Sequence, residues 1–404
     1  MDVCVVGAGA AGLTAARTLR RAGLSVRVLE ARGRLGGRAW TEQWSLGVPI
    51  DRGCAWLHSA DINPWTRYAR ERGFTVIERS PNWQSRIGQE GEVRRQQWLE
   101  ERDRAEAAIE AAARAGRDVP ADEVLPRDMQ FRELFGAIMT WAVGAELEDL
   151  STVDYANYGD TDANWSVREG LGALIASAAD ELDVVLDCPV EAIDWGGPGV
   201  RLATPRGTLE ARSVILTVPT AVLARGAIRF TPALPVPYQE AVHNLPLGVA
   251  DKVFVELAPG AMPLEGTKHI IAHANTRRTA SVTVRPNGQE LILLYFGGNY
   301  ARELEPAGGL QHAAREVLGD LFGSALASRI QRMVATGWAG DPWSCGSYSV
   351  ARPGFAHCRQ VLATPLADRL AFAGEACSRS GFGAVHGAWE SGEAAAHALA
   401  RVLR

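Results

Sequence analysis

The alternation of apolar and polar positions divides the chain into strand-like and helix-like stretches. The chain opens on a short apolar run, Val3–Val6, which predicts a buried strand. An alanine-rich stretch, Leu13–Ala22, follows and ends at Gly23, a pattern typical of a helix closed by a glycine. A second apolar run, Ser25–Leu29, predicts another strand. The N-terminal region is therefore expected to form a strand, a tight turn, a helix and a strand.

Similar patterns predict further elements along the chain. Residues 86–118 and 128–150 carry apolar residues at spacings of three and four, so each predicts a helix packed over the core. Further helices are predicted at Leu171–Leu182 and Leu310–Phe322. The predicted strands are Val184–Leu186, Pro189–Ile193, Val214–Val218, Lys252–Leu257, Ala280–Val284, Leu291–Phe296 and Leu370–Ala373. Four acids are expected to lie in loops: Asp149, Asp154, Asp160 and Asp162.

The turn after the first strand has the composition of a dinucleotide-binding site. Gly7 suits the tight turn, Gly9 lets the backbone approach a pyrophosphate, and Gly12 lets the helix pack close to the strand. The start of the helix presents its positive end to the phosphates, and Ala11 in the glycine turn is expected to bind the cofactor. Glu30 follows the second strand and is placed to accept hydrogen bonds from an adenosine ribose. These parts in this order predict a nucleotide site.

A second glycine-rich segment follows this acid. Gly36 and Gly37 allow it to wrap round the same pyrophosphate, and Arg38 supplies a countercharge. The run E-A-R-x-R-x-G-G-R resembles the flavoprotein amine oxidase family, in which it binds FAD rather than NAD. The resemblance implies FAD bound by Glu30, Ala31, Arg32, Gly36, Gly37 and Arg38.

Two later segments are similar to other parts of the same family. The strands that follow a G-L-G-x-L sequence at Gly170 resemble a second part of the FAD-binding domain, in which Val190 would give backbone contacts to the adenine. A last strand runs into Gly374 and Glu375 before a glycine-rich helix start. The resemblance implies that Glu375 accepts a hydrogen bond from a ribityl hydroxyl. Two residues at the helix start are expected to contact the flavin: Ala384 and Val385.

The resemblance covers the chain from end to end and implies its fold. The expected class is α/β, with a Rossmann-like FAD-binding domain of the glutathione-reductase type and an interleaved mixed α+β substrate domain. The FAD-binding domain is expected at 1–75, 184–235 and 335–404. The substrate domain is expected at 76–183 and 236–334.

Composition excludes several other classes of protein. The 404 residues carry a net charge of −5, so no basic surplus indicates binding to nucleic acid or to an anionic membrane. Six scattered cysteines without a C-x-x-C pair argue against a zinc site or a disulfide framework, and the histidines form no ligand cluster. The first strand leaves no room for a signal peptide, and no apolar run could cross a bilayer. We expect a cytoplasmic protein without metal, as a monomer or homodimer.

Three segments resemble the substrate site of flavin-dependent monoamine and polyamine oxidases. Trp56-Leu57-His58 is similar to the polyamine oxidase segment whose histidine borders the substrate channel. Family members with covalent FAD carry a cysteine where this chain has Ser347, so the resemblance implies non-covalent FAD. Tyr348 matches one of two aromatic residues that face each other beside the flavin in monoamine oxidases. The second position falls on Ala384, with Phe382 two residues earlier, which favours a wider site of the polyamine oxidase type.

Lys252 resembles the family lysine that hydrogen-bonds a water at flavin N5. Of 42 basic residues only Lys252 and Lys268 are lysines, so an ammonium at this position has a specific use. A buried amine can lower its pKa and organise a water, whereas a guanidinium stays charged. The resemblance implies hydride transfer from the carbon next to an amine nitrogen to N5. The resulting imine is hydrolysed to an aldehyde, and O2 reoxidises the flavin with release of hydrogen peroxide.

Other functions remain open on the sequence. An L-amino-acid oxidase would need an arginine in its pocket to pair with the substrate carboxylate, and the chain has forty arginines (42 − 2). A flavin desaturase or another non-amine oxidoreductase could use the same fold, as could a flavin-bound scaffold without turnover. The expected partners are a small-molecule amine and O2.

Overall fold

The computed structural model of the chain describes residues 1–81, 86–87 and 92–404. It combines sheets with helices packed on them. The strands are β1 (Val3–Val6), β2 (Val26–Leu29), β3 (Thr41–Glu42), β4 (Ile50–Asp51), β5 (Val76–Ile77), β6 (Arg86–Ile87), β7 (Ser166–Val167), β8 (Val184–Val185), β9 (Ala192–Asp194), β10 (Val200–Thr204), β11 (Gly207–Ala211), β12 (Ser213–Leu216), β13 (Arg229–Thr231), β14 (Ala250–Leu257), β15 (Lys268–Ile271), β16 (Ser281–Val284), β17 (Leu291–Gly297), β18 (Ile330–Ala335) and β19 (Leu370–Phe372).

The helices connect and cover these strands. They are α1 (Ala10–Arg21), α2 (Pro64–Glu71), α3 (Glu92–Arg114), α4 (Ala121–Val124), α5 (Arg132–Val143), α6 (Thr152–Asn157), α7 (Leu171–Ala176), α8 (Thr220–Ala224), α9 (Val236–Asn244), α10 (Gly298–Leu304), α11 (Gly309–Phe322), α12 (Ser324–Ala327), α13 (Cys358–Ala363) and α14 (Val385–Leu403).

A parallel five-stranded sheet has the N-terminal strand at its centre, in the order β19-β12-β1-β2-β8. All four side chains of β1 are buried, as expected for a central strand covered on both faces. Val3 and Val5 pack on the side of α1 and α14, whereas Cys4 and Val6 join the core under the four-stranded sheet β11-β10-β9-β13. The first strand therefore organises the core on both sides of the sheet.

A six-stranded sheet, β18-β14-β17-β16-β15-β6, forms the second large layer. Strand β14 lies between β17 and β18 and is antiparallel to both. Val253 and Val255 belong to the core that this sheet shares with α11. Because side chains alternate along a strand, Lys252 and Phe254 face the other side, where both line a cavity. Alternation along β14 thus decides which of its residues can meet a ligand.

Several predicted boundaries differ from the observed ones. The helix predicted over 128–150 is α5, which stops at Val143 because Gly144 adopts a left-handed conformation with φ of 74°. The helix predicted to Leu182 ends at Ala176 and continues as a single 3₁₀ turn. Residues 86–87 form a strand rather than a helix, and the predicted residues 88–91 lie outside the described part of the chain.

The predicted division into domains remains a prediction, although the sheets follow it closely. The strands of the five-stranded sheet come from residues 3–29, 184–185, 213–216 and 370–372, all inside the segments assigned to FAD binding. The six-stranded sheet takes its strands from residues 86–87 and 250–335. The two sheets are therefore interleaved along the chain.

Candidate active site

A large cavity extends from the carboxyl end of β1 to the face of β14. Its volume of about 1290 Å³ exceeds the roughly 300–1,000 Å³ usual for a small-ligand pocket, so a dinucleotide and a small substrate can both fit. The predicted site residues that line it are Gly7, Gly9, Ala11, Glu30, Ala31, Arg32, Gly36, Gly37, Arg38, Trp56, His58, Val190, Lys252, Tyr348, Gly374, Glu375, Phe382, Ala384 and Val385.

The glycine turn after β1 brings two separate segments together. Gly7 has a φ of 108°, and a Cβ there would stand 2.5 Å from the Thr217 hydroxyl. Gly9 forms a parallel bridge with Gly36 of the second glycine segment. Gly12 is not among the described residues that line the cavity. A Cβ on Gly12 would stand 1.9 Å from the Gly7 carbonyl oxygen, so only a glycine fits there. Its contribution to a cofactor site is the close packing of α1 on the turn.

Two long helices begin at the cavity wall. Helix α1 follows Gly9 and helix α14 follows Ala384, and neither start has a side-chain cap or an acid in its first turn. The first amides of such helices have no intrahelical acceptor, and the helix dipole favours an anion there. A Cβ at Gly392 would lie 2.3 Å from the Ala11 carbonyl oxygen, so the two helices are in backbone contact. These features fit a phosphate-bearing cofactor such as FAD.

Glu30 and Val190 lie at the end of the cavity predicted for the adenosine. Each Glu30 carboxylate oxygen accepts one backbone N–H, from Ala8 at 2.7 Å and from Arg32 at 2.8 Å. An ionised carboxylate has about four acceptor sites, so two remain for ribose hydroxyls. The backbone N–H and C=O of Val190 have no backbone partner within the described chain. Both observations fit the adenosine contacts expected of these residues.

The two arginines predicted to bind FAD are themselves held by carboxylates. Arg32 forms a two-point pair with Asp341, with both N–O distances at 2.7 Å. Arg38 donates through Nη1 to Glu375 at 2.8 Å and to the Ser347 carbonyl at 2.9 Å. Each arginine therefore joins the N-terminal loop to the C-terminal part of the chain, in addition to any contact with phosphate.

Glu375 is buried and surrounded by donors. Its carboxylate accepts hydrogen bonds from Arg38, from the Ser349 N–H and hydroxyl, and from the Gly383 N–H. Burial raises the pKa of Glu375. The positive charges of Arg38 and Arg359 and the hydrogen bonds to the carboxylate together outweigh burial, so the net pKa is below the ordinary value. Four donors fill the roughly four acceptor sites of a carboxylate. A ribityl hydroxyl would have to share or replace one of them.

Lys252 is the third residue of β14, because the strand begins at Ala250 and not, as predicted, at Lys252. Its ammonium is buried and donates to the backbone carbonyls of Asp51, at 2.8 Å, and Gly53. Burial lowers the pKa of Lys252, while the nearby Asp51 and Cys54 oppose that shift. An ammonium has three donors, so one remains for a water molecule in the cavity. The position fits the expected organisation of a water at the flavin.

Tyr295 is a cavity residue that the sequence did not indicate. It lies on β17 directly opposite Lys252, and its hydroxyl is 2.8 Å from the hydroxyl of Tyr348. The Tyr348 hydroxyl donates to the Trp141 carbonyl at 2.6 Å, so Tyr295 must donate to Tyr348. Burial raises the pKa of Tyr295 to about 12, which keeps this donor protonated. Only pairing of β14 with β17 brings Tyr295 to the site.

The remaining predicted pocket residues lie on the substrate side of the cavity. His58 is half-buried, and its Nδ1 lies 2.5 Å from the Asn164 amide oxygen, so Nε2 keeps its lone pair. Burial lowers the pKa of His58, against the opposing effects of Asn164 and Asp160. Phe382 packs edge-on against Tyr158. Trp56 and Ala384 also line the cavity.

Four acids on this wall form a group that sequence analysis did not assign to the pocket. Glu106 and Glu110 come from α3, while Asp160 and Asp162 follow α6. Burial raises the pKa of Glu106, Arg102 opposes this shift, and Glu110 and Asp162 add to it, so the net pKa is above the ordinary value. Glu106, Glu110 and Asp162 therefore interact electrostatically, and Asp160 accepts a hydrogen bond from the Asp162 backbone N–H at 2.9 Å. Two of them, Asp160 and Asp162, were expected only as loop acids, and their contact with the cavity depends on tertiary packing.

Asp154, which was also expected in a loop, lies in α6 and is buried. It pairs with the equally buried Arg359, each side chain being about 1% exposed. A buried carboxylate of this kind needs a cation, and no local pattern indicates a partner that lies 205 residues away.

The described residues contain no group of His, Cys, Asp or Glu that could hold a metal ion. Within the same residues, no helix has the length and apolar character needed to cross a membrane.

Comparison with known proteins gives a consistent result. The model of the flavin containing amine oxidoreductase family matches residues 10–76 and 63–400. Lysine-specific histone demethylase 1B of Mus musculus is 27% identical over 430 residues, which cover 97% of this chain and 52% of that protein. Polyamine oxidase 2 of Arabidopsis thaliana is 27% identical over 431 residues, covering 98% of this chain and 87% of the relative. The chain thus spans about half the length of the demethylase it matches.

A solved structure confirms the fold class. Cyclohexylamine oxidase from Brevibacterium oxydans IH-35A superposes with a TM-score of 0.79 at 24% identity, covering 100% of this chain and 99% of the other. The predicted α/β architecture with a Rossmann-like cofactor domain is therefore correct.

Proposed function

The chain belongs to the flavin-containing amine oxidoreductase family, and on that premise we propose that it oxidises a diamine or polyamine with FAD as its cofactor. The observation that carries this proposal is the position of Lys252. Its buried ammonium lies in the same cavity as the two open helix starts and the aromatic pair Tyr295–Tyr348. A nucleotide-binding end and an amine-binding end thus share one continuous space.

FAD, when bound, supplies the capacity to accept a hydride from the carbon next to nitrogen and to pass both electrons to O2 as hydrogen peroxide. The protein contributes position and a dry environment. Lys252 holds a water with its third N–H, while the carbonyls of Asp51 and Gly53 fix its direction. His58 uses Nδ1 to bind the Asn164 amide oxygen, so its Nε2 can accept a hydrogen bond from the amine nitrogen and orient it, while the proton of the substrate ammonium is released to solvent before the neutral amine binds.

The charges around the cavity favour an amine with a second positive charge. Arg102 lies 3.9 Å from Glu106 and Arg114 lies 3.0 Å from Glu110, but with Asp160 and Asp162 the four carboxylates outnumber these two arginines and leave a net negative wall that attracts a distal ammonium. The exposed side of the pocket is therefore suited to a flexible, dicationic chain.

The arginines that line the cavity weaken the case for an L-amino-acid oxidase. Such an enzyme needs a buried arginine to bind the substrate carboxylate. Among the cavity arginines, Arg32, Arg38 and Arg52 are already paired with Asp341, Glu375 and Glu42. Two others in the cavity lining, Arg79 and Arg168, are exposed. Within the described part of the chain, the cavity therefore offers a substrate carboxylate no buried arginine that lacks a carboxylate partner.

The flavin is proposed to be non-covalently bound. Ser347 occupies the position of the linking cysteine, and its hydroxyl exchanges hydrogen bonds with the N–H and C=O of Ala250 at 2.9 and 3.0 Å. A serine forms no thioether. We expect acid precipitation to leave all yellow flavin in the supernatant; flavin that stays with the polypeptide would contradict the proposal.

The decisive experiment is anaerobic mixing of the purified yellow protein with an amine panel while flavin absorbance is followed. The panel contains putrescine, spermidine, spermine, their N-acetylated forms, simple monoamines and aromatic amino acids. We expect rapid bleaching by a diamine or polyamine and slow bleaching by monoamines. Bleaching by amino acids alone would favour the L-amino-acid oxidase. Reduction by dithionite but by no amine would retain the cofactor site and refute amine oxidation.

A double variant, Glu106→Gln/Glu110→Gln, tests the substrate class separately. Loss of two charges should raise KM for the dicationic substrate by about tenfold, the factor expected for about 1.4 kcal/mol of electrostatic attraction. KM for a monoamine should stay within about twofold. Equal changes in KM for both substrates would show that the acidic wall does not bind the second positive charge of the substrate.

A further inference from the structure

The pair formed by Arg359 and Asp154 lies behind the cavity and connects its two ends. Arg359 is on α13, and Asp154 is in the first turn of α6. The guanidinium binds the carboxylate through Nε at 2.6 Å and Nη2 at 2.8 Å. Both side chains are about 1% exposed. Burial of a charged pair is costly unless its geometry and hydrogen bonds are complete.

All five N–H donors of this guanidinium are in use. Two bind Asp154, and the other three bind the Ser349 hydroxyl at 2.8 Å, the Ala376 carbonyl at 3.3 Å and the Ser349 carbonyl at 3.2 Å. A lysine has three donors and no planar fork, so it cannot replace this set. The side chain is therefore specified by its neighbours as an arginine.

One branch of this network leads to the flavin end of the cavity. The Ser349 hydroxyl accepts from Arg359, so its own proton is directed to Glu375, whose Oε2 lies 2.6 Å away. Glu375 in turn binds Arg38 of the N-terminal glycine segment. The four charges alternate in sign from Asp154 to Arg38, and each is neutralised by its neighbour. The orientation of Glu375 thus depends on a residue that does not itself line the cavity.

The other branch leads to the substrate end. The central guanidinium carbon lies 4.0 Å from the centroid of the Phe382 ring, a cation–π contact. Phe382 lines the cavity and packs on Tyr158, which lines it as well. The guanidinium of Arg359 that orients Glu375 therefore also determines the orientation of the Phe382 ring.

We propose that Arg359 is a positioning residue that fixes both the flavin anchor Glu375 and the substrate wall Phe382. The proposal rests on the proposed function for the identity of the two ligands. It implies that FAD affinity and amine affinity are coupled through one buried side chain. Single variants that affect one branch should separate the two effects, and a variant of Arg359 should combine them.

The test uses a double variant, Arg359→Met/Asp154→Leu, because replacing both partners of a buried pair by apolar residues is often tolerated. We expect the Kd for FAD, measured by flavin fluorescence without any amine, to rise by about tenfold, as for loss of a charge-assisted hydrogen bond. KM for the best amine should rise by a similar factor, whereas kcat at saturating FAD should change by about threefold or less.

Branch variants and a control complete the design. Ser349→Ala should weaken FAD binding with little change in KM, and Phe382→Leu should raise KM with little change in the Kd for FAD. The control is Arg132→Met/Asp122→Leu, a pair half-buried between α4 and α5, which should change neither quantity. Arg359→Lys keeps the positive charge but lacks the planar set of five donors, so we expect it to raise both the Kd for FAD and KM for the amine.

Unchanged FAD affinity and unchanged KM in a folded Arg359→Met/Asp154→Leu protein would overturn the inference. So would equal changes in the Arg132→Met/Asp122→Leu control, since these would reflect general loss of stability. If no amine is oxidised by the wild type, the proposed function fails. The Kd for FAD still tests the branch through Glu375 in that case.

Discussion

Lys252 illustrates how much depends on the surroundings of one side chain. Its ammonium is buried under β14 and held by two backbone carbonyls, so its direction is fixed before any ligand binds. Burial lowers its pKa, and the nearby Asp51 limits this shift. Proton exchange with a bound water therefore needs less energy than it would for an exposed lysine.

Replacement of Lys252 should affect the reaction more than the cofactor. Lys252→Met removes the donor to the water, and we expect flavin reduction or reoxidation to slow by about 10²-fold, at the lower end of proton-transfer effects. FAD content should stay the same. Stopped-flow absorbance of both half-reactions measures the effect. Lys252→Arg serves as the comparison, because it keeps a positive charge that cannot be released. Wild-type rates in both half-reactions of Lys252→Met would refute the assignment.

Helices α1 and α14 act as one element because they touch through their backbones. The contact at Gly392 and Ala11 sets the distance between their two N-termini, both of which face the cavity. The side chain at position 392 therefore controls the geometry of the cofactor site from outside it.

Gly392→Ala should disturb this contact. The new Cβ would lie 2.3 Å from the Ala11 carbonyl oxygen, so the helices must move apart. Overpacking of this kind costs about 1–3 kcal/mol, and FAD affinity should fall with it. The matched control is Gly319→Ala in α11, where a Cβ meets nothing within 4 Å and should stabilise by about 0.5–1 kcal/mol. Thermal unfolding and the Kd for FAD distinguish the two. A stabilised Gly392→Ala protein would contradict the packing argument.

Local patterns predicted the elements that carry their own signal. The strand, turn and helix around Gly7, the second glycine segment and the start of α14 were all evident in sequence. Helix ends were less accurate, because a single glycine in a left-handed conformation at Gly144 outweighed a long apolar periodicity. Such competition between a local stop and a helical pattern is decided by packing.

Residues whose roles depend on distant partners could not be predicted. Tyr295 lies in an ordinary alternating strand, and only its register opposite Lys252 brings it to the cavity. Asp154 was expected to be a loop acid. Its partner Arg359 is 205 residues away, so no neighbouring residue in the sequence indicated a buried ion pair. No spacing in one sequence encodes such pairs. Nothing in the sequence distinguishes the buried Arg359 from the other arginines of the chain.

The free energy of unfolding of the whole molecule should depend on pH through the carboxyl group of Asp251. This buried carboxyl accepts hydrogen bonds from the Thr336 hydroxyl at 2.6 Å and the Trp338 N–H at 3.2 Å. Burial, together with the neighbouring Glu305, raises its pKa from 3.8 to about 8. Between these values the folded state holds a proton that the unfolded state releases. Stability from this group is therefore full below about pH 4, falls as pH rises, and levels off above about pH 8.

Asp251→Asn should remove this dependence. The amide keeps an oxygen for Thr336 and Trp338 but does not titrate. The free energy of unfolding of the variant, relative to wild type, should rise with pH by up to about 1.4 kcal/mol per unit between pH 5 and 8. Urea unfolding of the holoprotein at four pH values measures the difference. Parallel curves for the two proteins would show that Asp251 does not bind the proton.

The bond between Arg38 and Glu375 joins residues 337 positions apart. At roughly 5–20 residues per second, the ribosome takes about 20–70 s to add the second residue after the first. During that time the N-terminal glycine turn and its helix exist without the segment that closes the site. Flavin can therefore be captured in full only after most of the chain has left the ribosome, which makes cofactor loading one of the last steps of maturation.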